Sequence, residues 1–481
     1  MNVVDPILFQ CRLQASTAAM CAPGAKLDRI SYGRLEQFIR NIGRNARMHG
    51  LQRGNVVALR FEEDIVHAAF ILGLTKLGIV TVSASGTSLP KGLKVDAILA
   101  DQSYAFATGT RFIVAGSAWT EGDGHTIEDA DRHENGSDLC RIVLTSGTTG
   151  DPKAVALTRE MTFGRMLRHN TVFGSKLVEC SRVFVDMRLT TSLGFLFLVY
   201  TLSRGGTVFF RGPDAVETLQ ALDLYKIQCM VAPPAALAEF VEIYERAPTF
   251  PMNLEVIITA GSLLSKSLSE RARARLCSRL VSVYGATETS MIATALAHSI
   301  AALPGAVGYL TPGVAAQIVN GSDEVLRAGE EGLVRVRSEF AVDGYFGDGH
   351  ESMTAFRDGW FYPGDIGQLG ADQMLIIAGR EKTILNLGGD KVNPERIEQV
   401  LVSCPGVTQA AVFGELNSMG IEEVVAAVVA PSANIEALRA HCEQHLTPAF
   451  VPLRFLHVAD IPRTEAGKVD RVRLAQIAAS P

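Results

Sequence analysis

The stretch LTSGTTGDPKAVALT, residues 144–158, places two glycines, four threonines, a serine and a lysine between two apolar runs. Glycine permits tight turns, and successive backbone N–H groups in such a turn form a concave site for an anion. A Walker phosphate loop would need glycine at Pro152 and Ser or Thr at Ala154, so that motif is excluded. Two interpretations are left, an exposed hairpin between short strands and a phosphate loop of another kind.

The composition is that of a globular protein with more than one domain. The 481 residues are 47% hydrophobic and 20% charged, and the net charge of −6 combines both signs scattered along the chain. No basic stripe predicts a nucleic-acid partner. The most apolar run, residues 193–202, is shorter than the ~20 residues that span a bilayer, and the start of the chain lacks the pattern of a signal peptide. We therefore expect a cytoplasmic protein with no membrane span.

The eight cysteines are scattered singly, with no C-x-x-C pair and no Cys/His cluster. This spacing argues against a zinc site and predicts reduced thiols. The sequence also has no internal repeat and no low-complexity tract, so a repeat architecture is not expected.

Apolar runs typical of buried strands alternate with longer amphipathic segments. Examples are NVVALRF followed by IVHAAFILGLTKLG, and LEVIITAG followed by LSKSLSERARARL. This alternation predicts an α/β fold, in which ligands bind at the carboxyl ends of strands. Three punctuated loops, TSGTTG, AGS and GATE, each follow an apolar run, so they could converge on one ligand.

The pattern changes near Arg380, where a charged, glycine-containing join leads into short strands and one helix. We therefore predict a large multi-layer N-terminal domain with mixed, largely parallel sheets, residues 1–379. A hinge at residues 380–382 would connect it to a small, mobile C-terminal α+β domain, residues 383–481. Both parts have ordinary domain composition, and the second has an ordinary domain size.

Several short motifs follow the opening stretch in a fixed order. They are YGATE, GWFYPGD, GREK, GGDKVNPERIE and PRTEAGK. Taken singly, the charged residues in them would be read as solvated loop or turn residues. Together with TSGTTGDPK, the ordered set resembles the signature of the adenylate-forming superfamily, which contains acyl-CoA synthetases, adenylation domains of peptide synthetases and luciferases.

The resemblance implies a binding site for ATP and Mg²⁺. The β- and γ-phosphates would be held by the opening loop, through Thr145, Ser146, Gly147, Thr148, Thr149, Gly150 and Lys153. Thr287 would donate to the α-phosphate and Glu288 would bind Mg²⁺, which needs only one or two protein carboxylates because phosphates and waters complete its shell. Lys468 would lie between the substrate carboxylate and the α-phosphate, where a cation stabilises the developing charge.

The family signature also implies where adenosine binds. Tyr284, followed by Gly285, would stack on adenine beside the AGS loop, and Asp365 would accept hydrogen bonds from both ribose hydroxyls with Arg380 beside the same sugar. The AGS loop consists of Ala260, Gly261 and Ser262.

Members of this superfamily rotate the C-terminal domain after forming the acyl-adenylate, so that a thiol acceptor can enter. Lys382 falls at the hinge position of the motif, where one residue can absorb the torsional change. Gly388 and Gly389 would leave room for a pantetheine arm to pass close to the backbone.

Three departures from the family pattern bear on the substrate. Ala154 replaces a glycine after the phosphate-loop lysine, and Pro363 replaces the threonine of a Thr-Gly-Asp motif. Many acyl-CoA synthetases also have an aromatic-His pair that closes the acyl pocket, and here Thr190 or Thr191 falls near that position. These departures leave the identity of the acid open.

The leading hypothesis is an ATP-dependent ligase that joins a small-molecule carboxylic acid to coenzyme A. One alternative is an adenylating enzyme that loads the phosphopantetheine of an acyl carrier protein, and another is a catalytically silent nucleotide-binding protein. An amino-acid substrate is disfavoured because Asp186 lies too far ahead of the SRGG segment to capture an α-amine. Candidates for a basic coenzyme A site are Lys382, Lys391, Arg396, Arg165 and Arg168.

Overall fold

The computed structural model describes most of the 481-residue chain. The described residues are 2–84, 89–90, 92–104, 109–122, 135–145, 152–247, 253–383, 385–387, 390–416, 422–430, 433–463 and 469–479. The helices are α1 Asp5–Leu13, α2 Tyr32–Met48, α3 Asp64–Lys76, α4 Arg159–Glu179, α5 Ser192–Ser203, α6 Ala215–Leu224, α7 Pro234–Arg246, α8 Lys266–Arg275, α9 Ala297–Ile300, α10 Gly349–Ala355, α11 Pro394–Ser403, α12 Ile435–His445 and α13 Arg471–Ala479.

The first strands in chain order are β1 Ala18–Cys21, β2 Arg29–Ser31, β3 Val56–Arg60, β4 Val80–Ser83, β5 Ala97–Ala100, β6 Phe112–Val114, β7 Leu139–Thr145, β8 Lys153–Thr158, β9 Arg182–Val185, β10 Thr207–Phe209, β11 Cys229–Ala232, β12 Val256–Ala260 and β13 Leu280–Ala286. The remaining strands are β14 Ser290–Leu296, β15 Ala306–Leu310, β16 Val314–Val319, β17 Gly332–Ser338, β18 Phe356–Arg357, β19 Trp360–Phe361, β20 Asp365–Leu369, β21 Met374–Arg380, β22 Leu385–Leu387, β23 Asp390–Val392, β24 Gln409–Leu416, β25 Glu422–Val429 and β26 Arg454–His457.

A six-stranded sheet carries the opening sequence stretch. Its order is β6-β5-β3-β4-β7-β8, parallel except for the antiparallel β7–β8 hairpin. Thr145 and Lys153 face each other as the last register pair of that hairpin. The expected pair of short strands is therefore present, and the loop that joins them, residues 146–151, lies outside the described residues.

A larger sheet carries the other motif loops. Strands β1, β10, β9, β11, β12 and β13 run parallel, and the sheet continues beyond β13 through antiparallel strands. The sequences CMVA and VIITA of β11 and β12 are continuously apolar because these strands are buried on both faces. As predicted, AGS and GATE follow neighbouring parallel strands, β12 and β13, at their carboxyl ends.

Helices fill the space between the two sheets. The largest hydrophobic cluster joins Leu59 of β3 and Val183 of β9 through apolar side chains of α2, α3 and α5, including Phe38, Phe70 and Phe197. Helix α5 is apolar along nearly its whole length because it is buried on all sides. The molecule is thus layered, and the predicted mixed α/β fold with a large N-terminal part is confirmed.

A buried cation connects the two sheets. Arg141 of β7 donates to the hydroxyls of Thr81 and Ser83 at 3.1 and 2.7 Å, and to the carbonyl of Leu189 in the loop after β9 at 2.5 Å. Its guanidinium also lies 4.8 Å from the ring centre of Phe195 in α5. Burial lowers the pKa of Arg141 to about 10, so it is still charged at neutral pH and fixes the start of α5 to the smaller sheet.

The C-terminal part has its own small core. A sheet of order β24-β25-β26 packs against α11 and α12 through residues such as Ile397, Val412 and Leu438. Glu398 of α11 accepts from the backbone N–H of Val412 at 2.8 Å and pairs with Arg471 of α13 at 2.5 Å. This agrees with the predicted α+β domain, and the Glu398 contacts tie the last helix to the sheet.

The eight cysteines all lie in described residues, and each is a buried free thiol, as expected from their spacing. No helix among the described residues is long and apolar enough to cross a membrane.

The ion pair between Glu398 and Arg471 should contribute more to the free energy of unfolding than the exposed pair between Glu415 and Arg454. Glu398→Ala should destabilise the C-terminal part by about 3–5 kcal/mol, because it leaves a largely buried guanidinium without its carboxylate. Glu415→Ala is the matched control, since its pair with Arg454 at 2.9 Å is exposed and should contribute less than about 1 kcal/mol. Urea unfolding followed by hydrogen exchange measures both, and equal losses would contradict the assignment.

Candidate active site

The turn that carries Thr287 and Glu288 joins β13 to β14 and is held from below by a buried arginine. Arg165 of α4 donates to the carbonyls of Thr287 at 2.9 Å, Glu288 at 3.0 Å and Phe340 at 2.8 Å. The backbone N–H of Val342 donates to the same Glu288 carbonyl at 2.9 Å. Arg165 is 0% exposed. The turn is therefore fixed by main-chain contacts that do not use the side chains of Thr287 and Glu288.

Arg165 and Arg168 do not offer a basic surface. Burial lowers the pKa of Arg165 to about 10, and Arg168 donates to the hydroxyl of Ser338 at 3.1 Å while its guanidinium lies over the ring of Phe340. Both side chains are buried. The expectation that they could serve a coenzyme A nucleotide site is wrong, because a helix face that looks basic in sequence is turned inward here.

Glu288 presents a carboxylate that fits a magnesium ion. Its side chain is buried, 7% exposed, and its Oε1 accepts a 2.9 Å hydrogen bond from the Tyr345 hydroxyl. That donor is neutral, because burial, and then the Glu288 charge, raise the pKa of Tyr345. The Tyr345 hydroxyl thus orients the carboxylate, which suits an ion that takes one or two protein carboxylates. No group of three or more metal-ligating side chains occurs among the described residues.

Lys153 reaches the same place from the β7–β8 hairpin. Its Nζ pairs with Glu351 Oε2 of α10 at 2.6 Å and lies 4.7 Å from the ring centre of Tyr345. Tyr345 therefore contacts both Lys153, which is expected to bind phosphate, and Glu288, which is expected to bind magnesium. The preceding loop residues, Ser146, Gly147, Thr148, Thr149 and Gly150, lie outside the described residues.

The residues expected at the adenosine end also meet. Asp365 begins β20 and faces Arg380, the last residue of β21, whose Nε lies 2.8 Å from Asp365 Oδ1. The Tyr284 hydroxyl donates to the other oxygen, Oδ2. Burial and the neighbouring Asp365 charge raise the pKa of Tyr284, so its hydroxyl keeps its proton. Asp365 is 3% exposed, and its carboxylate is oriented by both neighbours.

Two positions at this end of the larger sheet favour glycine. A Cβ on Gly285 would come within 2.4 Å of the Ser290 carbonyl, and Gly261 has φ of +99°. Ala260 is the register partner of Val283, one residue before Tyr284. The AGS loop and the tyrosine therefore lie side by side, as the sequence predicts. The backbone N–H of Glu381 donates to the Gly364 carbonyl at 2.9 Å, which ties the Asp365 turn to the start of the expected hinge.

The threonines expected at the acyl pocket lie at the start of α5. Thr191 is the N-cap of α5, and its hydroxyl accepts from the N–H of Gly194 at 3.1 Å and donates to the Arg188 carbonyl at 2.8 Å. Its hydroxyl is thus occupied by the helix start. Thr190 precedes it and is half-buried. Both follow Leu189, whose carbonyl is held by Arg141.

Asp186, in the same loop, is not a free acid for an amino substrate. It pairs with Arg211 at 3.2 Å, and burial raises its pKa to about 6. The sequence argument against an amino acid rested on spacing, and this ion pair adds a second reason.

Four further predicted site residues lie wholly or partly outside the described part of the chain. Lys468, Gly388 and Gly389 lie outside the described residues. Lys382 lies in the 3-10 turn Glu381–Thr383, of which only the backbone is described at that residue. The roles assigned to these residues stay predictions.

The structure adds residues that the motifs did not include. Tyr345 and Glu351 lie in and after DGYFGDG, a glycine-containing segment that gave a loop signal but no chemical one. For Arg165 and Arg141 the sequence offered no signal other than a positive charge, and an isolated arginine is normally exposed to solvent. Their importance comes from burial, which the sequence did not reveal.

Comparison with known proteins places these observations in a family. The family model of the AMP-binding enzyme matches residues 10–346, and that of the AMP-binding enzyme C-terminal domain matches residues 396–468. A naringenin synthase from Pestalotiopsis fici is 26% identical over 94% of this chain, which spans only 18% of that protein's length. A 4-chlorobenzoate–CoA ligase from Arthrobacter sp is 26% identical over 98% of this chain and 94% of its own.

Solved structures share the fold. An amide bond synthetase from Marinactinospora thermotolerans superposes with a TM-score of 0.79 over 99% of both chains, at 24% identity. At that identity the likeness concerns architecture alone. The AMP-binding model spans more than half of the chain and includes TSGTTGDPK and YGATE, and the C-terminal model includes PRTEAGK, so the chain belongs to the AMP-binding enzymes, the adenylate-forming ligase superfamily that its motifs resemble.

Proposed function

We propose that this chain activates a carboxylic acid with ATP and then transfers the acyl group to coenzyme A. In the first step a carboxylate oxygen attacks the α-phosphorus of ATP and pyrophosphate leaves, which gives an acyl-adenylate. In the second step the thiol sulfur attacks the acyl carbon, AMP leaves, and the thiol proton passes to the medium. The products are an acyl-CoA thioester, AMP and pyrophosphate.

One observation carries the first step. Side chains from separate parts of the sequence make two series of contacts near the end of β13, one from Lys153 through Tyr345 to Glu288 and one from Tyr284 through Asp365 to Arg380. Lys153 would bind the outer phosphates, and Asp365 would accept from the ribose. The segment from Tyr284 to Glu288 connects these two groups of contacts. The triphosphate of a bound ATP would lie along this segment.

The residues at the matched motif positions would have the following roles. Thr287 would donate to the α-phosphate, and Glu288 would hold Mg²⁺, which supplies charge neutralisation on the phosphate oxygens when bound. Tyr284 would stack on adenine while its hydroxyl orients Asp365. Lys468 would approach the α-phosphate from the C-terminal part and stabilise the charge that develops as the carboxylate attacks.

The choice of coenzyme A as the acyl acceptor has less support than the adenylation step. Many of the curated relatives are ligases for coenzyme A, as the 4-chlorobenzoate relative is, and Gly388 and Gly389 fit the family position for a pantetheine arm. Transfer to a carrier-protein phosphopantetheine is the alternative, and it would use the same arm. Rotation about Lys382 would exchange Lys468 for this glycine pair between the two steps.

A panel of carboxylic acids tests the proposal. Pyrophosphate release is measured with each acid in the presence and absence of coenzyme A, and the product mass is determined. We expect at least one acid to release pyrophosphate and to yield a thioester only with coenzyme A. Acyl-AMP that accumulates with every active acid would favour a carrier protein, and an amide product with added amine would overturn the thiol acceptor. No release with any acid would favour a silent nucleotide-binding protein.

Lys468→Ala should separate the two half-reactions. Acyl-adenylate formation should fall by about 10²–10³-fold, because a cation is lost where two anions meet, while thioester formation from supplied acyl-AMP should change far less. Lys382→Pro is the reciprocal variant, since proline fixes φ at the expected hinge and should slow the second step more than the first. Equal loss in both steps for either variant would contradict its role.

Asp365→Asn should weaken ATP binding by about 10–100-fold, because hydrogen bonds to a charged acceptor contribute about 1.5–3 kcal/mol each and the amide also breaks the pair with Arg380. The control is Asp358→Asn, an exposed residue with φ of +50° that asparagine tolerates. Calorimetric titration with ATP measures both. An unchanged affinity in the Asp365 variant would reduce that residue to a turn position.

A further inference from the structure

Tyr345 lies between two opposite charges that the proposed function assigns to ATP. Its hydroxyl donates to Glu288 Oε1 at 2.9 Å, and its ring lies 4.7 Å below the Lys153 ammonium. The side chain is buried, and the contacts occupy opposite parts of it, the polar tip and the aromatic face. One residue therefore touches both the proposed magnesium carboxylate and the phosphate-loop lysine.

Without such a residue the two charges would attract each other. A lysine and a glutamate in a water-poor site form a stronger ion pair than they would in water. That pair would occupy the ammonium needed by phosphate and the carboxylate needed by the metal. A phenol is suited to prevent it, because its ring attracts a cation without neutralising it and its hydroxyl orients a carboxylate without removing its charge.

The structure supplies Lys153 with a carboxylate of its own. Glu351 of α10 pairs with it at 2.6 Å, so the lysine has a carboxylate partner other than Glu288. This pair is partly exposed, at 16% and 30% for the two side chains, so a phosphate can replace Glu351 at the ammonium. Glu288 and Lys153 thus each have a polar partner other than one another, the Tyr345 hydroxyl and Glu351 respectively.

The segment that carries Tyr345 is fixed at several points. Its backbone N–H donates to the Ser352 hydroxyl at 2.7 Å, and the next residue, Phe346, donates from its N–H to the Ala154 carbonyl at 2.8 Å. The ring meets Phe356 edge to face with centroids 5.4 Å apart. Asp348 caps α10 by accepting from the N–H of Glu351 at 3.0 Å. Tyr345 and Glu351 are consequently held in one rigid unit next to β8.

We propose that Tyr345 is a positioning residue that keeps Lys153 and Glu288 apart, so that the lysine is available to phosphate and the carboxylate to magnesium. The inference rests on the proposed function, because it takes these two residues as ligands of magnesium-bound ATP. Tyr345 itself touches neither the reacting carboxylate nor the α-phosphorus in this scheme. Its effect is on how tightly the metal–nucleotide complex binds.

The test is calorimetric binding of nucleotide in the absence of any carboxylic acid, so that no adenylate can form. Tyr345→Phe removes only the hydroxyl and should weaken binding of ATP with Mg²⁺ by about tenfold, because Glu288 loses its orienting donor. In EDTA, where the metal is absent, the same variant should bind ATP as the unaltered protein does. AMP should also bind unchanged, since it lacks the phosphates that Lys153 would meet.

Tyr345→Leu removes the ring as well and gives a second, distinct expectation. It should weaken ATP binding about threefold or more even in EDTA, because Lys153 loses its aromatic support, and should again leave AMP unaffected. Tyr309→Phe is the matched control, since Tyr309 is an exposed tyrosine of β15, and it should change none of the affinities. Each comparison is made within one variant under two conditions, so a general loss of folded protein cannot imitate the pattern.

Three results would overturn the inference. The Phe variant could bind magnesium-ATP as tightly as the unaltered protein, which would make the hydroxyl irrelevant. It could weaken AMP, or ATP in EDTA, as much as magnesium-ATP, which would indicate a general structural role. If the unaltered protein binds neither ATP nor AMP, the proposed function falls together with the inference, whereas in the first two cases only the inference falls.

Discussion

A buried guanidinium with backbone partners organises the candidate site. Arg165 donates to carbonyls at Thr287, Glu288 and Phe340, which belong to two separate connections of the larger sheet. Burying a charge is unfavourable unless it is well hydrogen-bonded, and three carbonyl oxygens are a neutral way to meet that need. The arrangement leaves net positive charge directly beneath a turn that the proposal places along a triphosphate. The Arg165 side chain would thus both hold the backbone of this turn in place and provide a positive electrostatic potential for the phosphates.

The sequence predicted the fold class and the family well because both depend on local patterns. Apolar runs such as VIITA gave the buried strands, and the ordered motifs gave the superfamily. Asp365, Tyr284 and Arg380 were named from three separate motifs, and the structure brings their side chains into contact. The pairing itself was not predictable from local patterns, since it depends on how β13, β20 and β21 are arranged in the sheet.

The sequence was least informative where burial decides the role. Arg165 and Arg168 look like a basic helix face and are buried against the Phe340 segment instead. Thr191 looked like a replacement for a pocket histidine, and its hydroxyl is used to begin α5. Tyr345 was overlooked because a tyrosine between glycines has no distinctive spacing. In each case the local sequence is ordinary, and the function of the residue comes from a partner more than a hundred positions away or from a helix end.

The contact between Asp365 and Arg380 has a consequence for the order of events. Arg380 is the last residue of β21, and Glu381, directly after it, donates its N–H to Gly364 beside Asp365. A sugar bound to Asp365 would therefore change the surroundings of the residues about which the C-terminal part would rotate in the proposed function. If nucleotide favours one orientation of that part, the orientation must favour nucleotide by the same factor. The affinity for AMP and the fraction of molecules in each orientation would then be thermodynamically coupled, so that a change in one requires a change in the other.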